Sequence, residues 1–430
     1  MSDLQTSCDE TTQIVPGQDL SRNDMLLIAL GVLIRSGDAI EYFLPGVITQ
    51  EVACELALSS IQEGILGIMF YVTVCPSFYF GALLSDRFGR RHVMLASLYI
   101  SIIFMVFCAL VPNYSTLLLS RALTGVCVGL NTTTLGVYIS ESASSRDVYT
   151  KGTSLGSFCI SAGGGWIALV AYVLLESVGW RIFVLLTSVP VFIPPILMLH
   201  CCLEDSVPGN SNVVNTETEA GSTDIPTTVD NFNIRLFMTS TFSFINDFQN
   251  FAAILLLPAL IRLLNGQDLD LMKGTDLTGE RSNSTTSFPT DHYCASAVHG
   301  TQFLIIALVT GGANSLGGLA GYLISGKGSF RIAQGLLAMV ITMCYGVLML
   351  RSGMVVTALA MGICQIAHSM MRLEMILVIF DSMYFGTERL NIASATAYFV
   401  GGIGGLLGEL GCGFPRASAG GECHFWVQCR

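Results

Sequence analysis

Residues 81–91 read GALLSDRFGRR, and they lie between an apolar run that ends near Leu84 and another that begins at Val93. Four of the six residues from 86 to 91 are charged, and such a density of charge cannot sit in hydrocarbon. The stretch is therefore predicted to form a turn at a membrane surface, and its three arginines favour the cytoplasmic side. Gly81 and Gly89 allow two helices to approach closely and to reverse direction.

The composition supports a membrane protein with many spans. The chain has 430 residues, of which 52% are hydrophobic and 12% charged, and its mean hydropathy is +0.64. A soluble domain carries about 25% charged residues. At about 20 residues per span, the chain has room for about a dozen helices. We therefore expect an all-α polytopic protein whose first partner is the lipid bilayer.

Several other classes are not indicated. No basic patch suggests a nucleic-acid partner, and no Cys or His spacing suggests a metal site. No nucleophile–base pair and no cofactor fingerprint are present. The sequence therefore predicts neither an enzyme, nor catalytic residues, nor a bound metal or cofactor.

The apolar runs predict eleven helices. They lie at 24–48, 62–84, 93–111, 115–139, 153–175, 180–201, 234–262, 298–324, 332–350, 353–380 and 391–411. The organisation that follows is a cytoplasmic tail (1–23), an N-terminal six-helix half (24–201), a cytoplasmic linker (202–233), a C-terminal half of five helices (234–411) and an atypical tail (412–430). Residues 412–430 cannot span a bilayer, so we expect a truncated C-terminus.

One long polar loop is predicted on the side opposite the basic turns. It covers residues 263–297, and it contains the sequence Asn283-Ser284-Thr285. This is a glycosylation sequon far enough from the membrane to be used. Asn283 is therefore the predicted glycosylation site on the luminal or extracellular side.

The order of glycines and charges in residues 81–91 resembles the signature loop between helices 2 and 3 of the major facilitator superfamily. Further stretches resemble the synaptic vesicle glycoprotein 2 branch of that superfamily, which is close to the organic-ion transporters. They are GDAIEYF at 37–43, RALTG at 121–125, GWRIFVL at 179–185 and LEDSVP at 203–208. The resemblance covers residues 30–208 well and is weaker over 234–411, where Ser325 stands in place of the signature Asp.

The resemblance implies a major facilitator fold of two six-helix halves, here with the twelfth helix missing and about 11 spans. It also implies a cytoplasmic gate that is latched by charged residues. The members of this predicted gate set are Gly81, Asp86, Arg87, Gly89, Arg90, Arg91, Glu141 and Lys151.

The first predicted helix carries three ionisable residues on one broad face. Arg35, Asp38 and Glu41 follow each other at i, i+3 and i+6. Charged residues at this depth normally face a cavity or a partner. We interpret Asp38 and Glu41 as a substrate or proton site and Arg35 as structural. An internal Arg35–Asp38 pair that only locks the helix is the alternative.

The helix predicted at 234–262 is interrupted by polar residues at a comparable depth. Asp247 and Asn250 share a face at i, i+3, and matched polar positions of repeated helices are where transporter sites lie. Interhelical hydrogen bonding is the alternative. Arg121, at the start of another helix, is a further candidate, which pairs with Asp38, pairs with Glu41, or stays at the membrane surface.

Two functions follow from these features. The first is a secondary active transporter that moves a small organic solute, polar or charged, by alternating access, with proton coupling as an option. The alternative is a non-transporting regulator or scaffold of a vesicle membrane, as in the synaptic vesicle glycoprotein type. Vesicle and plasma membrane are both consistent with the resemblance.

Overall fold

The computed structural model describes residues 21–203, 232–264, 311–324, 330–349, 354–379 and 389–417. Within these ranges, helix is the only regular secondary structure. Six helical segments in the described part are long and apolar enough to cross a membrane. The prediction of an all-helical polytopic membrane protein is confirmed, whereas the count of eleven spans stays a prediction.

Ten helical elements make up the described part of the chain. They are α1 Arg22–Glu55, α2 Ser60–Phe88, α3 Arg90–Leu110, α4 Tyr114–Ser142, α5 Arg146–Cys201, α6 Phe232–Leu264, α7 Ala313–Ile324, α8 Phe330–Met349, α9 Met354–Ile379 and α10 Leu390–Ala417. We call α1–α5 the first helix group and α6–α10 the second. Asn283 and Ser325 lie outside the described residues.

The charged turn is shorter in the structure than the sequence predicted. The helix α2 continues through Asp86 and Arg87 to Phe88, and α3 begins at Arg90. Only Gly89 is non-helical, with a φ of 87° that favours glycine. Asp86 and Arg87, which were expected in the turn, therefore belong to the last turn of α2.

Gly81 has a different role from Gly89. It lies inside α2, and a Cβ atom there would collide with Oγ1 of Thr133 and lie 3.1 Å from Cα of Leu130. The absence of a side chain at Gly81 therefore lets α2 approach α4 closely.

The two helices predicted at 153–175 and 180–201 form one element, α5, with a break inside it. Gly179 has a φ of 74° and is the non-helical residue of α5. Ser145 caps the start of α5 by accepting a hydrogen bond from the backbone N–H of Val148. The sequence correctly predicted a boundary between residues 175 and 180. It expected a connection of four residues, whereas only Gly179 is non-helical.

The helix α1 also extends past its prediction. It was expected to end at residue 48, and it continues to Glu55. Glu55 accepts hydrogen bonds from Nε1 of Trp180 and, at 2.8 Å, from an Nη atom of Arg181. These bonds hold the polar end of α1 against α5.

The two helix groups pack against each other through a few elements. The helix α10 packs against α2, and α5 packs against α7 and α9. One hydrophobic cluster crosses the boundary between the groups, because it includes Leu27 and Phe70 as well as Ile376. Many large apolar side chains on the outside are exposed, as Ile103 is at 62%, which suits contact with lipid.

Candidate functional site

A cavity lies between the two helix groups, and residues from both line it. The lining consists of Arg35, Tyr42, Tyr71, Val74, Cys75, Phe78, Thr132 and Ile160 from the first group, and Asp247, Arg372, Ile376, Tyr398 and Gly402 from the second. Its volume is about 30 Å³. A water molecule needs about 10–15 Å³ of such volume, so this conformation has room for water but not for an organic solute.

Arg35 of α1 lies on the cavity wall and is held there by α4. Its Nη1 and Nη2 atoms donate to Oγ1 and to the backbone oxygen of Thr132, each at 3.2 Å. Arg35 was interpreted as structural from the sequence. In the structure Arg35 lines the cavity. Its hydrogen bonds to Thr132 also join α1 to α4, which is a structural role.

Asp38 lies behind Arg35 and does not line the cavity. It is fully buried, and its Oδ2 atom is 3.7 Å from Nη1 of Arg35. Neither carboxylate oxygen accepts a hydrogen bond from the described residues. The Arg35–Asp38 pair on α1 is therefore formed, and its carboxylate lacks the donors that normally accompany a buried charge.

Glu41 and Arg121 form a second buried pair, which answers the question left open for Arg121. An Nη1–Oε2 distance of 3.1 Å joins them, and Nη2 of Arg121 donates to the backbone oxygen of Glu41 at 3.0 Å. The guanidinium also lies over the ring of Phe70, 5.3 Å from its centroid. This pair ties α1 to α4 and does not reach the cavity.

The polar positions of α6 divide between the cavity and the interior of the second group. Asp247 is buried and lines the cavity. Asn246 faces His368 of α9, with Oδ1 of Asn246 3.4 Å from Nδ1 of the imidazole. The side chain of Asn250 lies outside the described residues.

Aromatic rings form the apolar part of the cavity wall. Tyr42 and Tyr71 have centroids 6.0 Å apart, and both contact Phe70 edge to face. Phe78 and Tyr398 lie 5.3 Å apart across the boundary between the groups. The cavity therefore combines charged groups with a broad ring surface.

The predicted gate set assembles around Arg90. This buried side chain pairs with Asp86 at 2.7 Å and donates to both oxygens of Glu141 at 2.9 and 3.0 Å. Arg91 donates to the backbone oxygens of Leu199 and His200 at the end of α5. Most of the set thus fixes helices of the first group to one another.

Two members of the set have other neighbours. The guanidinium of Arg87 lies over the ring of the adjacent Phe88, at 5.5 Å. Lys151 pairs with Asp147 at 2.6 Å on the surface of α5.

Among the described residues, three side-chain hydrogen bonds connect the two groups on the predicted cytoplasmic side. Asp86 accepts from Nδ2 of Asn391. Oη of Tyr79 donates to Oγ1 of Thr396, and Oη of Tyr149 donates to the backbone oxygen of Leu377, each at 2.9 Å. These bonds hold α2 and α5 of the first group against α9 and α10 of the second.

Sequence reasoning did not identify Asn391, Tyr398 or the cavity position of Arg372. Asn391 is the second residue of α10, where a polar residue carries no distinctive pattern. Arg372 was visible as a charge inside an apolar run, and this was the signal available for it. Within the described residues, no group of three His, Cys, Asp or Glu side chains could hold a metal ion.

Comparison with known proteins gives a family match and curated relatives. A family model described as Major Facilitator Superfamily matches residues 33–409. Synaptic vesicle glycoprotein 2A of Homo sapiens is 28% identical over 180 residues, which are 38% of this chain and 24% of that protein. The putative transporter svop-1 of Caenorhabditis elegans is 30% identical over 36% of this chain and 29% of that protein. The matched stretch thus spans about a quarter of the length of these relatives.

Solved structures share the fold. The proton:xylose symporter XylE, bound to 6-bromo-6-deoxy-D-glucose, has a TM-score of 0.62 at 15% identity, covering 90% of this chain and 94% of that one. A bacterial homolog of the human lysosomal transporter Spinster has a TM-score of 0.55 at 17% identity, covering 94% and 85%. At these identities the likeness shows the fold alone.

Proposed function

The chain belongs to the major facilitator superfamily, and on that premise we propose that it is a secondary transporter that moves a small organic solute by alternating access. The observation that carries the proposal is the cavity between the two helix groups. Charged and aromatic side chains from both groups line it. A solute held there contacts both groups, so its binding can favour one arrangement of the groups over another.

The present conformation fits one state of such a cycle. The cavity is too small for an organic solute, and three hydrogen bonds join the two groups on the predicted cytoplasmic side. A transporter must leave this arrangement to load and release its solute. Individual hydrogen bonds are worth about 0.5–1.5 kcal/mol, so a few of them suit a reversible gate.

We also propose proton coupling through Asp38. This carboxylate is buried without a hydrogen-bond donor among the described residues, beside the arginine that lines the cavity. Protonation of Asp38 would release Arg35 from its ion pair and so change the charge that faces the cavity. Solute binding and proton binding would then be linked through one side chain.

Uptake into proteoliposomes tests both proposals. We expect accumulation of one or more members of a panel of radiolabelled organic solutes when the lumen and the outside differ in pH. Asp38→Asn should abolish the response to the pH difference while exchange of solute without a gradient persists. Glu51→Gln is the matched control, because Glu51 is an exposed acid on the same helix.

The outcomes separate the two proposals. If the wild-type chain moves no solute of the panel under any proton or sodium gradient, the transport proposal fails. If it moves solute but Asp38→Asn responds to pH as the wild type does, coupling does not use Asp38.

A non-transporting regulator of a vesicle membrane is the second candidate. It is favoured by the similarity to synaptic vesicle glycoprotein 2A and by Ser325 at the position that corresponds to Asp86 in the second helix group. Cross-linking in isolated vesicles distinguishes it. A stable partner that is lost on deleting residues 204–231, with no change in solute content, would support the regulator.

A further inference from the structure

Two opposite charges on the cavity wall, Asp247 and Arg372, form no ion pair within the described part of the chain. Asp247 is 7% exposed, and its Oδ1 atom accepts no hydrogen bond from the described residues. Arg372, on the neighbouring helix α9, forms no hydrogen bond or ion pair within the described part of the chain. No ion pair joins the two side chains, although both line the same cavity.

The position of Asp247 is unusual, because a buried carboxylate is normally paired with a counter-charge. A carboxylate and a guanidinium that face one cavity could lower their energy by contact with each other. Because they form no ion pair with each other, one negative and one positive group remain available to a bound molecule.

Arg35, the other arginine on the cavity wall, does not add a further charge that is available to a solute. Both terminal nitrogens of Arg35 already donate to Thr132, and its charge faces Asp38. The charges open to a solute are therefore one carboxylate and one guanidinium, both from the second helix group.

A solute with one charge or none leaves at least one of these two groups without a counter-charge. An organic anion would satisfy Arg372 and be repelled by Asp247. An organic cation would satisfy Asp247 and be repelled by Arg372. A neutral solute would leave both charges without a counter-ion in a site that excludes most water.

We infer that the transported solute is a small zwitterion, whose ammonium group binds Asp247 and whose carboxylate binds Arg372. The guanidinium offers a carboxylate two parallel hydrogen bonds. The rings of Tyr42, Tyr71 and Phe78 provide a surface for an apolar body between the charged ends. This inference rests on the proposed transport function, because the cavity must widen before it can hold the solute.

Two matched sets of three ligands test the inference by equilibrium binding to the purified full chain in nanodiscs. The first set is L-phenylalanine, 3-phenylpropanoate and 2-phenylethylamine, and the second is β-alanine, propanoate and propylamine. Within a set, the body is similar and only the charged groups differ. In at least one set, we expect the zwitterion to bind about tenfold or more tightly than either singly charged ligand, as two charge-assisted contacts replace one contact and one repulsion.

Variants of the two side chains give opposite changes in selectivity. Asp247→Asn should weaken binding of the zwitterion about tenfold and make the carboxylate ligand the preferred one. Arg372→Gln should weaken the zwitterion similarly and favour the amine, while Arg372→Lys should keep the zwitterion preference. Arg22→Gln and Glu51→Gln, at exposed positions of α1, should leave all affinities unchanged.

The results separate this inference from the transport proposal. If no zwitterion binds more tightly than its singly charged counterparts, the inference is overturned, whether or not another solute such as D-xylose is transported. If the chain transports no solute at all, the transport proposal fails first, and the inference fails with it.

Discussion

The carboxylate of Asp86 accepts a hydrogen bond from Nδ2 of Asn391, so the charged turn of the first helix group is connected to the start of α10 in the second. The same carboxylate pairs with Arg90 at 2.7 Å, and Arg90 in turn binds Glu141. Asp86 therefore belongs to the internal framework of the first group and to the contact between the groups. Because Asp86 takes part in both, removing its hydrogen bond with Asn391 tests whether the contact between the groups acts as a gate.

Asn391→Ala should shift the population toward states that are open to the cytoplasm. The side chain of Asp86 is 48% exposed, so we expect an effect of about 1 kcal/mol, equivalent to about a fivefold change in population. The measurement is the rate at which a maleimide alkylates Cys75, a buried residue of the cavity wall, followed by mass spectrometry of its peptide. Ile392→Ala, at an exposed neighbouring position, should not change the rate. Equal rates in Asn391→Ala and the wild type would contradict the gate.

Breaking the Glu41–Arg121 pair should destabilise the first helix group. Arg121→Gln leaves the carboxylate of Glu41 buried without its counter-charge, and removal of one partner of such a pair costs about 3–5 kcal/mol. Denaturant unfolding in detergent measures this loss. Adding Glu41→Gln to Arg121→Gln should recover part of the stability, because the unpaired charge is then gone. A double variant that is less stable than Arg121→Gln would show that the pair is not the cause.

Gly81→Ala should weaken the packing of α2 against α4. The new methyl group would collide with Oγ1 of Thr133 and approach the backbone of Leu130, and overpacking of this kind costs about 1–3 kcal/mol. The matched control is Gly67→Ala on the same helix, where a Cβ atom meets nothing within 4 Å. The control should be neutral or slightly stabilising, as alanine favours helix over glycine. Similar melting temperatures for both variants would count against a close approach at Gly81.

The contact at Glu55 should make stability depend on pH in the acidic range. The hydrogen bonds from Arg181 and Trp180 hold the pKa of Glu55 below its ordinary value of 4.5. A carboxylate with a lowered folded-state pKa contributes stability that is present above pH 4.5 and is lost as the pH falls through the folded-state pKa. We expect Glu55→Gln to be less stable than the wild type at neutral pH, with the difference shrinking in acid below that value. Because Glu55 is 45% exposed, the effect is small.

The pH titration needs a control acid outside any contact of this kind. Glu51→Gln, four residues earlier on α1 and exposed, removes a carboxylate from the same helix without breaking the contact with Arg181 and Trp180, and it serves as this control. Thermal unfolding between about pH 3 and pH 7 provides the readout. A difference between Glu55→Gln and the wild type that does not change with pH would refute the assignment.

Sequence reasoning was most informative for features that depend on a single helix. The fold class follows from long apolar runs. The spacing on α1 gave the Arg35–Asp38 pair only as the alternative to a substrate or proton site at Asp38, and the structure shows this pair formed. Neither conclusion needs knowledge of how the helices are oriented against each other.

Sequence reasoning could not predict contacts that depend on how two helices are rotated relative to each other. To predict that Arg121 pairs with Glu41 and not with Asp38, one must know how α1 packs against α4. The position of Arg372 on the cavity wall likewise depends on how α9 packs against α5 and α6. Helical periodicity gives angles within a helix and leaves these relative rotations undetermined.

The single-residue breaks at Gly89 and Gly179 determine how motion can travel through the first helix group. A connection of one residue keeps the two helix ends within a few ångströms of each other, so displacement of one end also displaces the end that it joins. The helix α2 has 29 residues, which at about 1.5 Å per residue makes a lever about 43 Å long, and a tilt of about 10° moves its far end by about 7 Å. A small tilt of α2 about its Asp86 end would therefore displace its other end, at Ser60, by several ångströms.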